Sequence, residues 1–584
     1  MASLAFLARG RAMSALQLRR RESRGEPGGW PDSVHPVLQR VYAARGVLTP
    51  EAIEHRLARL LSPHDLGGMN AAVDLLIEAI QNDWHILIAG DYDCDGATGT
   101  AVAVRGLRLL GAQRVDYAVP NRFIHGYGLT PALVESLQPT PQLIVTVDNG
   151  VASIAGVDAA KARGIRVIVT DHHLPGEQLP ACDAMVNPNL MGEEFPSKAL
   201  AGVGVMFYLL LALRAKLFPD RETQTSPSQR PDLSSLLDLV ALGTVADLVP
   251  LDFNNRVLVE AGVKRIRAGR TCAGITALVE AGKRSLATLC SSDLGFAVGP
   301  RLNAAGRLED MRLGIECLLT DDVAQARRFA DQLSAINQER RELQASMVAE
   351  AELMVQGLTD IQALGVALYE PSWHAGVIGL VASKLKDRLH RPVIAFAPAS
   401  EDDSANLRGS ARSITGFHIR DALAVVDARH PGLIERFGGH AMAAGLSLKA
   451  SDYQRFAEAF DAVTRELVDT ERLQAVLHTD GELPAGSFSL PLARQLRDGG
   501  PWGQGFAEPL FDNLFECVNW RTMGTSHWRL SLKDPRDGGV HDAVMFNVPE
   551  GAPPQRLRAA YELVINDWQG RESPRLLLRH IEPV

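Results

Sequence analysis

Short apolar runs that end in acidic strings most restrict how this chain can fold. Residues 85–89 (His-Ile-Leu-Ile-Ala) end at Gly90-Asp91-Tyr92-Asp93-Cys94-Asp95-Gly96. Leu143–Val147 ends at Asp148-Asn149-Gly150, and Arg166–Thr170 ends at Asp171-His172-His173. Such brief runs without alternation read as strands buried on both faces, as in parallel sheets. Helical stretches lie between them, 97–110 closed by Gly111 and about 151–163 stopped by Gly164. Strand–helix alternation predicts βαβ units. Ligands of such sheets bind beyond the carboxyl ends of the strands, where all three acidic strings lie.

The rest of the chain divides by pattern. Residues 234–246 read as a helix ending at Asp247, within Gly-Thr-Val-Ala-Asp-Leu-Val-Pro, and 220–232 as an exposed polar loop. From 321 to 358 the pattern is continuously helical. Phe329, Leu333, Ile336, Leu343 and Met347 recur among many charges, which predicts a long connecting helix rather than a coiled-coil dimer. A second α/β unit follows, with strands at 366–369 and 393–397 around a helix at 375–390. The final 120 or so residues turn to β-like alternation, as in Trp528-Arg-Leu-Ser-Leu-Lys533, and predict a small barrel. The expected layout is an arm and lead-in over 1–45, a first α/β domain over 46–320, a connecting helix over 321–358, a second α/β domain over 359–460 and a barrel over 461–584. The expected fold class is therefore α/β with a C-terminal β-barrel.

Composition sets limits on function. At 584 residues, length suggests roughly three to four domains. No apolar stretch reaches the roughly 18 residues of a membrane span, so no membrane partner is expected. The six cysteines are scattered without a CxxC pair, which argues against zinc clusters or a disulfide framework and for a reducing cytoplasm. The first 25 residues carry six arginines against Glu22; they read as a solvated arm in preference to a transit peptide, and Met13 is an alternative start. A net charge of −9 argues against a general nucleic-acid coating protein. It leaves open an enzyme holding one strand in a local basic groove, with bound cations offsetting an acidic site.

Asp91, Asp93 and Asp95 alternate before Gly96, which permits a tight turn, and carboxylates so close repel unless a cation or hydrogen bonds hold them; taken alone, the string also reads as a solvated turn or helix cap. The string lacks the remaining ligands of an EF-hand. Taken singly, Asp148 reads as a cap for a helix near Gly150, Asp247 as structural and each histidine as a satisfied polar residue. Together, carboxylates with imidazole suit Mn²⁺ or Mg²⁺. Two such ions sharing a carboxylate can activate water and stabilise a leaving oxygen, which points to phosphodiester cleavage. Trp373-His374 reads as a base-stacking pair or, on the blander view, as a core tryptophan.

At these residues the chain resembles the DHH phosphoesterase superfamily, and within it the branch of single-stranded-DNA-specific exonucleases. The matching strings are 90–96, Thr-Val-Asp-Asn-Gly (146–150), Asp-His-His (171–173) and 243–250, in family order. Resemblance continues through 299–308 (Gly-Pro-Arg-Leu-Asn-Ala-Ala-Gly-Arg-Leu), 373–379, Ser410-Ala-Arg412 and Gly438-Gly-His440, and covers most of 35–584. It departs at Phe506-Ala507, where many members carry Gly-Asn-Pro. The resemblance implies a DHH domain, a long helix, a DHHA1 domain and an OB-like barrel. It implies Asp93, Asp95, Asp148, His172 and Asp247 as ligands of two Mn²⁺ or Mg²⁺ ions, with Asp148 as bridge and Asp91 as an outer partner or further ligand. His173 would face the scissile phosphate as a catalytic residue alongside Asp148 and His172, and Asp171 would orient the pair.

For the strand, the candidates are Arg122, Arg301, Arg307, Ser410, Arg412 and His440, since guanidinium donors grip phosphate oxygens in pairs. Implied function is 5′→3′ digestion of single-stranded DNA to mononucleotides by a monomer, in recombination and repair. A single-strand-binding protein and a recombination helicase are the implied partners. The alternatives are a DHH phosphodiesterase of short oligonucleotides or cyclic dinucleotides, and an inactive DHH scaffold of a replication complex.

Overall fold

The computed structural model describes residues 16–121, 126–219, 230–358, 363–400, 403–524, 526–548 and 551–584. Arg122, the first fifteen residues and most of the 220–232 loop lie outside the described residues. The chain forms two compact units. One comprises Arg20–Ile336 with Thr479–Val584, the other Asn337–His478 with the described residues before Arg20.

In the larger unit, helix α1 (Met69–Gln81) precedes a five-stranded parallel sheet. Its strands are β1 (Ile86–Ala89), β2 (Val115–Ala118), β3 (Leu143–Val147), β4 (Arg166–Thr170) and β5 (Ala184–Val186), in the order β2-β1-β3-β4-β5. Helix α2 (Cys94–Leu109) connects β1 to β2, and α3 (Ile154–Ala162) connects β3 to β4. The strand order reverses between β1 and β3, and the carboxyl ends of those two strands form the crevice in which open α/β sheets bind ligands. Beyond the sheet lie α4 (Gly202–Leu217), α5 (Leu237–Ala246), α6 (Gly299–Leu308) and α7 (Val323–Leu358), the last running into the second unit.

Helix α2 starts at Cys94, three residues before the expected 97. The cause is Asp93, which caps it by accepting the Gly96 N–H at 3.0 Å. Gly96 is therefore helical rather than part of a tight turn. Its requirement is space, since a Cβ there would lie 2.6 Å from the Asp91 carbonyl oxygen. Asp148 does not cap α3 as read in isolation; that helix begins only at Ile154.

The smaller unit holds β6 (Val366–Tyr369), α8 (Ile378–Leu389), β7 (Val393–Ser400), β8 (Asp403–Arg412), β9 (Arg436–Gly439), β10 (Ala443–Lys449) and α9 (Tyr453–Leu467). Its sheet runs β9-β10-β8-β7-β6, with only β6 and β7 parallel. Helix α9 continues past residue 460 and buries Phe456, Phe460 and Val463 against this sheet's core. Trp373 is 3% exposed and its indole N–H donates to Glu350 at 3.0 Å, so it is a core residue and offers no stacking face. Gly438 and Gly439 form no turn but pair as strand with Gly445 and Ala444.

The C-terminal segment returns to the larger unit as a closed barrel of β11 (Phe511–Met523), β12 (His527–Lys533), β13 (Val540–Phe546), β14 (Arg556–Trp568) and β15 (Arg571–Pro583). The order β11-β12-β13-β15-β14, with only β13 and β15 parallel, is that of a five-stranded OB-like barrel. Alternation explains it: Trp528, Leu530 and Leu532 point inward and are buried, while Arg529, Ser531 and Lys533 face out. The divergent 501–510 segment seats the barrel on the first domain. Trp502 and Phe506 stack at 4.9 Å, Arg256 lies over Phe506, and Gln504 accepts the Leu251 N–H at 2.7 Å. No described helix is long and apolar enough to cross a membrane.

Candidate metal centre

Every acidic string of the first domain converges at the carboxyl ends of β1, β3 and β4. Asp91, Asp93 and Asp148 bring ligand atoms within 4.8 Å of one another, as do Asp95, His172 and Asp247, and Asp148, His172 and His173. Asp148 and His172 each belong to two of these groups. His172 Nε2 lies 3.0 Å from Asp148 Oδ1, 3.6 Å from Asp247 and 3.9 Å from Asp95.

Backbone geometry delivers each group. Asp95, in the first turn of α2, takes the N–H groups of Gly202 and Val203 at 2.6 and 2.9 Å and so caps α4, more than a hundred residues away. Gly202 presses closely here, because a Cβ on it would lie 2.5 Å from the Asp148 Cβ. Asp148 itself adopts φ +61°, a left-handed conformation that strains a residue with a side chain and is concentrated at functional sites. Asp247 ends α5 as its C-cap. Asp171 does not join the facing carboxylates. Its Oδ1 accepts the backbone N–H groups of His172 and His173 and meets His173 Nδ1 at 2.7 Å, while Oδ2 accepts the Val151 N–H. It sets the posture of both imidazoles. Asn187 and Asn189 brace the same turn by donating to the carbonyls of His173 and His172.

Electrostatics show what the cluster can hold. Burial, then Asp93, pushes the Asp95 carboxyl up to about 7. Burial and neighbouring carboxylates hold Asp148 and Asp247 well above the usual range. Burial and the adjacent His173 push His172 down to about 4, which keeps it neutral and able to ligate. His173 rises to about 9, because its bond and charge pairing with Asp171 and the nearby aspartates overcome burial. Asp148 Oδ1 and His172 Nε2 are buried without a hydrogen-bond partner even though they face each other. Unpartnered buried oxygen and nitrogen atoms amid crowded carboxylates are the environment a divalent cation satisfies, and the mixed donors fit Mn²⁺ or Mg²⁺.

The remaining strand-binding candidates divide. Arg301, on α6, donates to Ser334 Oγ at 3.0 Å, to the Ala281 carbonyl at 3.0 Å and to the Ala297 carbonyl, so protein acceptors already hold its guanidinium. Arg307 follows Gly306, whose Cα abuts the Tyr92 carbonyl so closely that no side chain fits. In the smaller unit, Arg412 donates to Ser410 Oγ at 3.1 Å, and both flank Gly379 in the first turn of α8. No carboxylate pairs with Arg412 among the described residues, and burial lowers its pKa. His440 sits in the β9–β10 hairpin, its N–H donating to the Ala443 carbonyl at 2.8 Å.

Sequence reasoning missed Asn303, whose side chain accepts the Cys94 N–H at 2.8 Å and anchors the start of α2. It also missed Tyr127, which packs edge-on to His173 and donates to the Asp148 carbonyl at 3.3 Å. Asn303 lies within the quoted 299–308 string, but nothing local in that string marks it as a partner of α2.

A parallel sheet whose switch point gathers carboxylates and imidazole defines a DHH-type phosphoesterase domain. Residues 85–244 match the DHH family N-terminal domain, 360–466 the DHHA1 domain and 479–580 the RecJ OB domain. The chain belongs to the RecJ family of single-stranded-DNA-specific exonucleases. It is 49% identical to the Dickeya dadantii member and 46% identical to the Escherichia coli member, each alignment covering 97% of this chain and 99% of the relative. The crystal structure of Thermus thermophilus RecJ with Mn²⁺ superposes with a TM-score of 0.78 at 30% identity, over 94% of this chain and 76% of that one. A Mg²⁺ complex of the same protein superposes at 0.73, over 94% and 75%.

Proposed function

We propose that this protein is a metal-dependent exonuclease that digests single-stranded DNA 5′→3′ to 5′-mononucleotides, in DNA recombination and repair. The observation that carries the reading is the buried, unpartnered pair Asp148 Oδ1 and His172 Nε2 inside a ring of carboxylates with raised pKa values. Asp93, Asp95, Asp148, His172 and Asp247 would hold two Mn²⁺ or Mg²⁺ ions, with Asp148 shared and Asp91 an additional partner. Bound there, the ions would supply a water nucleophile at neutral pH and stabilise charge on the leaving oxygen.

The chain's own residues do the rest. Asp171 holds His173 charged and oriented, so that its imidazolium meets the negative charge of the scissile phosphate. Asp95 fixes α4 and, through the close approach of Gly202, the position of Asp148. Arg412 and Ser410 at the start of α8, with His440, would grip the phosphate of a 5′ terminus. A largely buried guanidinium with no carboxylate counter-charge among the described residues suits an anion. Arg122 and Arg307 remain assigned to strand phosphates. Arg301, held by helix carbonyls, acts instead as a brace.

The protein would work in the cytoplasm as a monomer, with a single-strand-binding protein and a recombination helicase as partners. The test is hydrolysis of end-labelled single strands and duplexes with Mn²⁺, Mg²⁺ or chelator. Metal-dependent loss of the single strand alone is expected. Equal digestion of duplex, or activity that survives chelation, would overturn the proposal.

A further inference from the structure

The end of α5, which delivers Asp247, carries one conformational outlier and packs against another. Leu248, two residues beyond α5, lies at φ +60°, a region that disfavours any side chain with a Cβ. Burial offers no compensation, because the residue is 69% exposed. Packed against the last residues of α5, Leu294–Val298 form a single π-helical turn, a rare element concentrated at functional sites. Leu294, Ala297 and Val298 on that turn are buried, yet Phe296 is 77% exposed.

The turn is held firmly against the end of α5. A Cβ on Gly295 would lie 3.2 Å from Val245, and one on Gly299 would lie 3.0 Å from Ala246, the residue before Asp247. Arg301 ties the turn down through the Ala297 and Ala281 carbonyls. Phe296 is thus turned to solvent by a packed element, one residue away from glycine-close contact with the helix that delivers Asp247.

We propose that Phe296 and Leu248 form an apolar platform for unstacked bases of the substrate strand beside the metal centre. This inference rests on the exonuclease reading above and adds to it the element that holds the bases. Asp247, the neighbour of Leu248, lies 3.6 Å from His172 Nε2. A nucleotide with its phosphate at that cluster must therefore place sugar and base within reach of its rim. Bases of a single strand present free π-faces, and aromatic or apolar side chains accept them whatever the sequence. The strain at Leu248 is consistent with a side chain retained for contact rather than for folding.

The experiment is steady-state hydrolysis of two single strands of equal length, one with normal bases and one with abasic analogues at the nucleotides nearest the digested end. Phe296→Ala should raise KM about tenfold on the base-bearing strand, the size of one lost stacking contact. It should leave KM and kcat on the abasic strand unchanged, and Phe296→Trp should restore wild-type KM. Leu248→Gly, which adopts φ +60° without strain, should melt no lower than wild type while raising KM on the base-bearing strand. Equal KM increases on both strands, or no increase on either, would overturn the platform. So would a Leu248→Gly protein that melts lower with unchanged KM. Failure of the wild type to digest either strand would instead overturn the exonuclease reading.

Discussion

Stabilisation by Mn²⁺ should depend on pH in a direction fixed by the cluster's carboxylates. Asp95 titrates at about 7 in the fold against 3.8 as a free side chain, and Asp148 and Asp247 are raised as well. A carboxyl with a raised folded pKa contributes stability that is present below about 4 and lost as pH rises to the folded value. His172, lowered from 6.5 to about 4, works the other way over the same range and offsets one of the three carboxylates. His173, raised from 6.5 to about 9, adds a further loss between those values. Metal-free protein should therefore be less stable at pH 8 than at pH 5.

Cation binding reverses this, because it requires the carboxylates ionised. Each ligand proton that must leave costs about 1.4 kcal/mol per pH unit below its pKa, so Asp95 alone removes about 3 kcal/mol of binding between pH 7 and pH 5. A unit of about 400 residues unfolds with an entropy on the order of 0.9 kcal/mol per kelvin. The melting-temperature gain from saturating Mn²⁺ over chelator should then be about 3 °C larger at pH 7 than at pH 5. Calorimetry or dye-monitored melting at the two pH values, with and without Mn²⁺, measures it directly. A gain that is constant with pH, or larger at pH 5, would refute the assignment of these carboxylates as ligands.

Other expectations follow from single contacts. Gly202→Ala would drive a Cβ to 2.5 Å from the Asp148 Cβ, a clash whose cost is about 1–3 kcal/mol. Mn²⁺ affinity by titration calorimetry should fall about tenfold or more, and unchanged affinity would count against the Asp148 geometry. Asp171→Asn removes the charge that holds His173 near 9. Its ring should titrate by NMR at least about one unit lower in the metal-free protein, and a ring still titrating near 9 would show that Asp171 is not the cause. Arg412→Ala should raise KM about tenfold or more on strands with a 5′-phosphate, as expected for losing a charge-assisted contact, and leave 5′-hydroxyl strands little changed. Equal effects on both ends would remove Arg412 from terminus binding.

How far the sequence could be read depended on whether a feature was local. Strands β3 and β4 were legible to the residue because Leu-Ile-Val-Thr-Val and Arg-Val-Ile-Val-Thr are dense in β-branched residues and buried on both faces except at Arg166. The thinner strands β2 and β5, Val-Asp-Tyr-Ala and Ala-Met-Val, flank them at the sheet's edges and carry no such run. Helix α2 was placed three residues late because the 91–96 string was read as a ligand set, a turn or a cap ahead of the helix, and which aspartate caps it shows only in the Gly96 N–H that Asp93 accepts. The convergence of acidic strings followed from the rule for parallel sheets. Asp95 capping α4, Asn303 anchoring α2 and Arg301 bracing the π-helical turn join residues far apart in the chain, where no periodicity reports them. Trp373 was ambiguous because a tryptophan string looks the same in a core and on a binding face; only Glu350 beneath its indole decides.

Asp148 tests the central claim most directly, since it belongs to two of the three ligand groups and its burial leaves Oδ1 without a hydrogen bond. Asp148→Asn keeps the shape and removes one charge from a crowd of carboxylates. Hydrolysis of single-stranded DNA with Mn²⁺ should fall by well over about a hundredfold, more than loss of an outer partner of a metal ligand costs. Without metal, the variant should melt no lower than wild type, because its charge was already disfavoured there. A cleanly folded Asp148→Asn protein that degrades single strands at the wild-type rate would contradict the account.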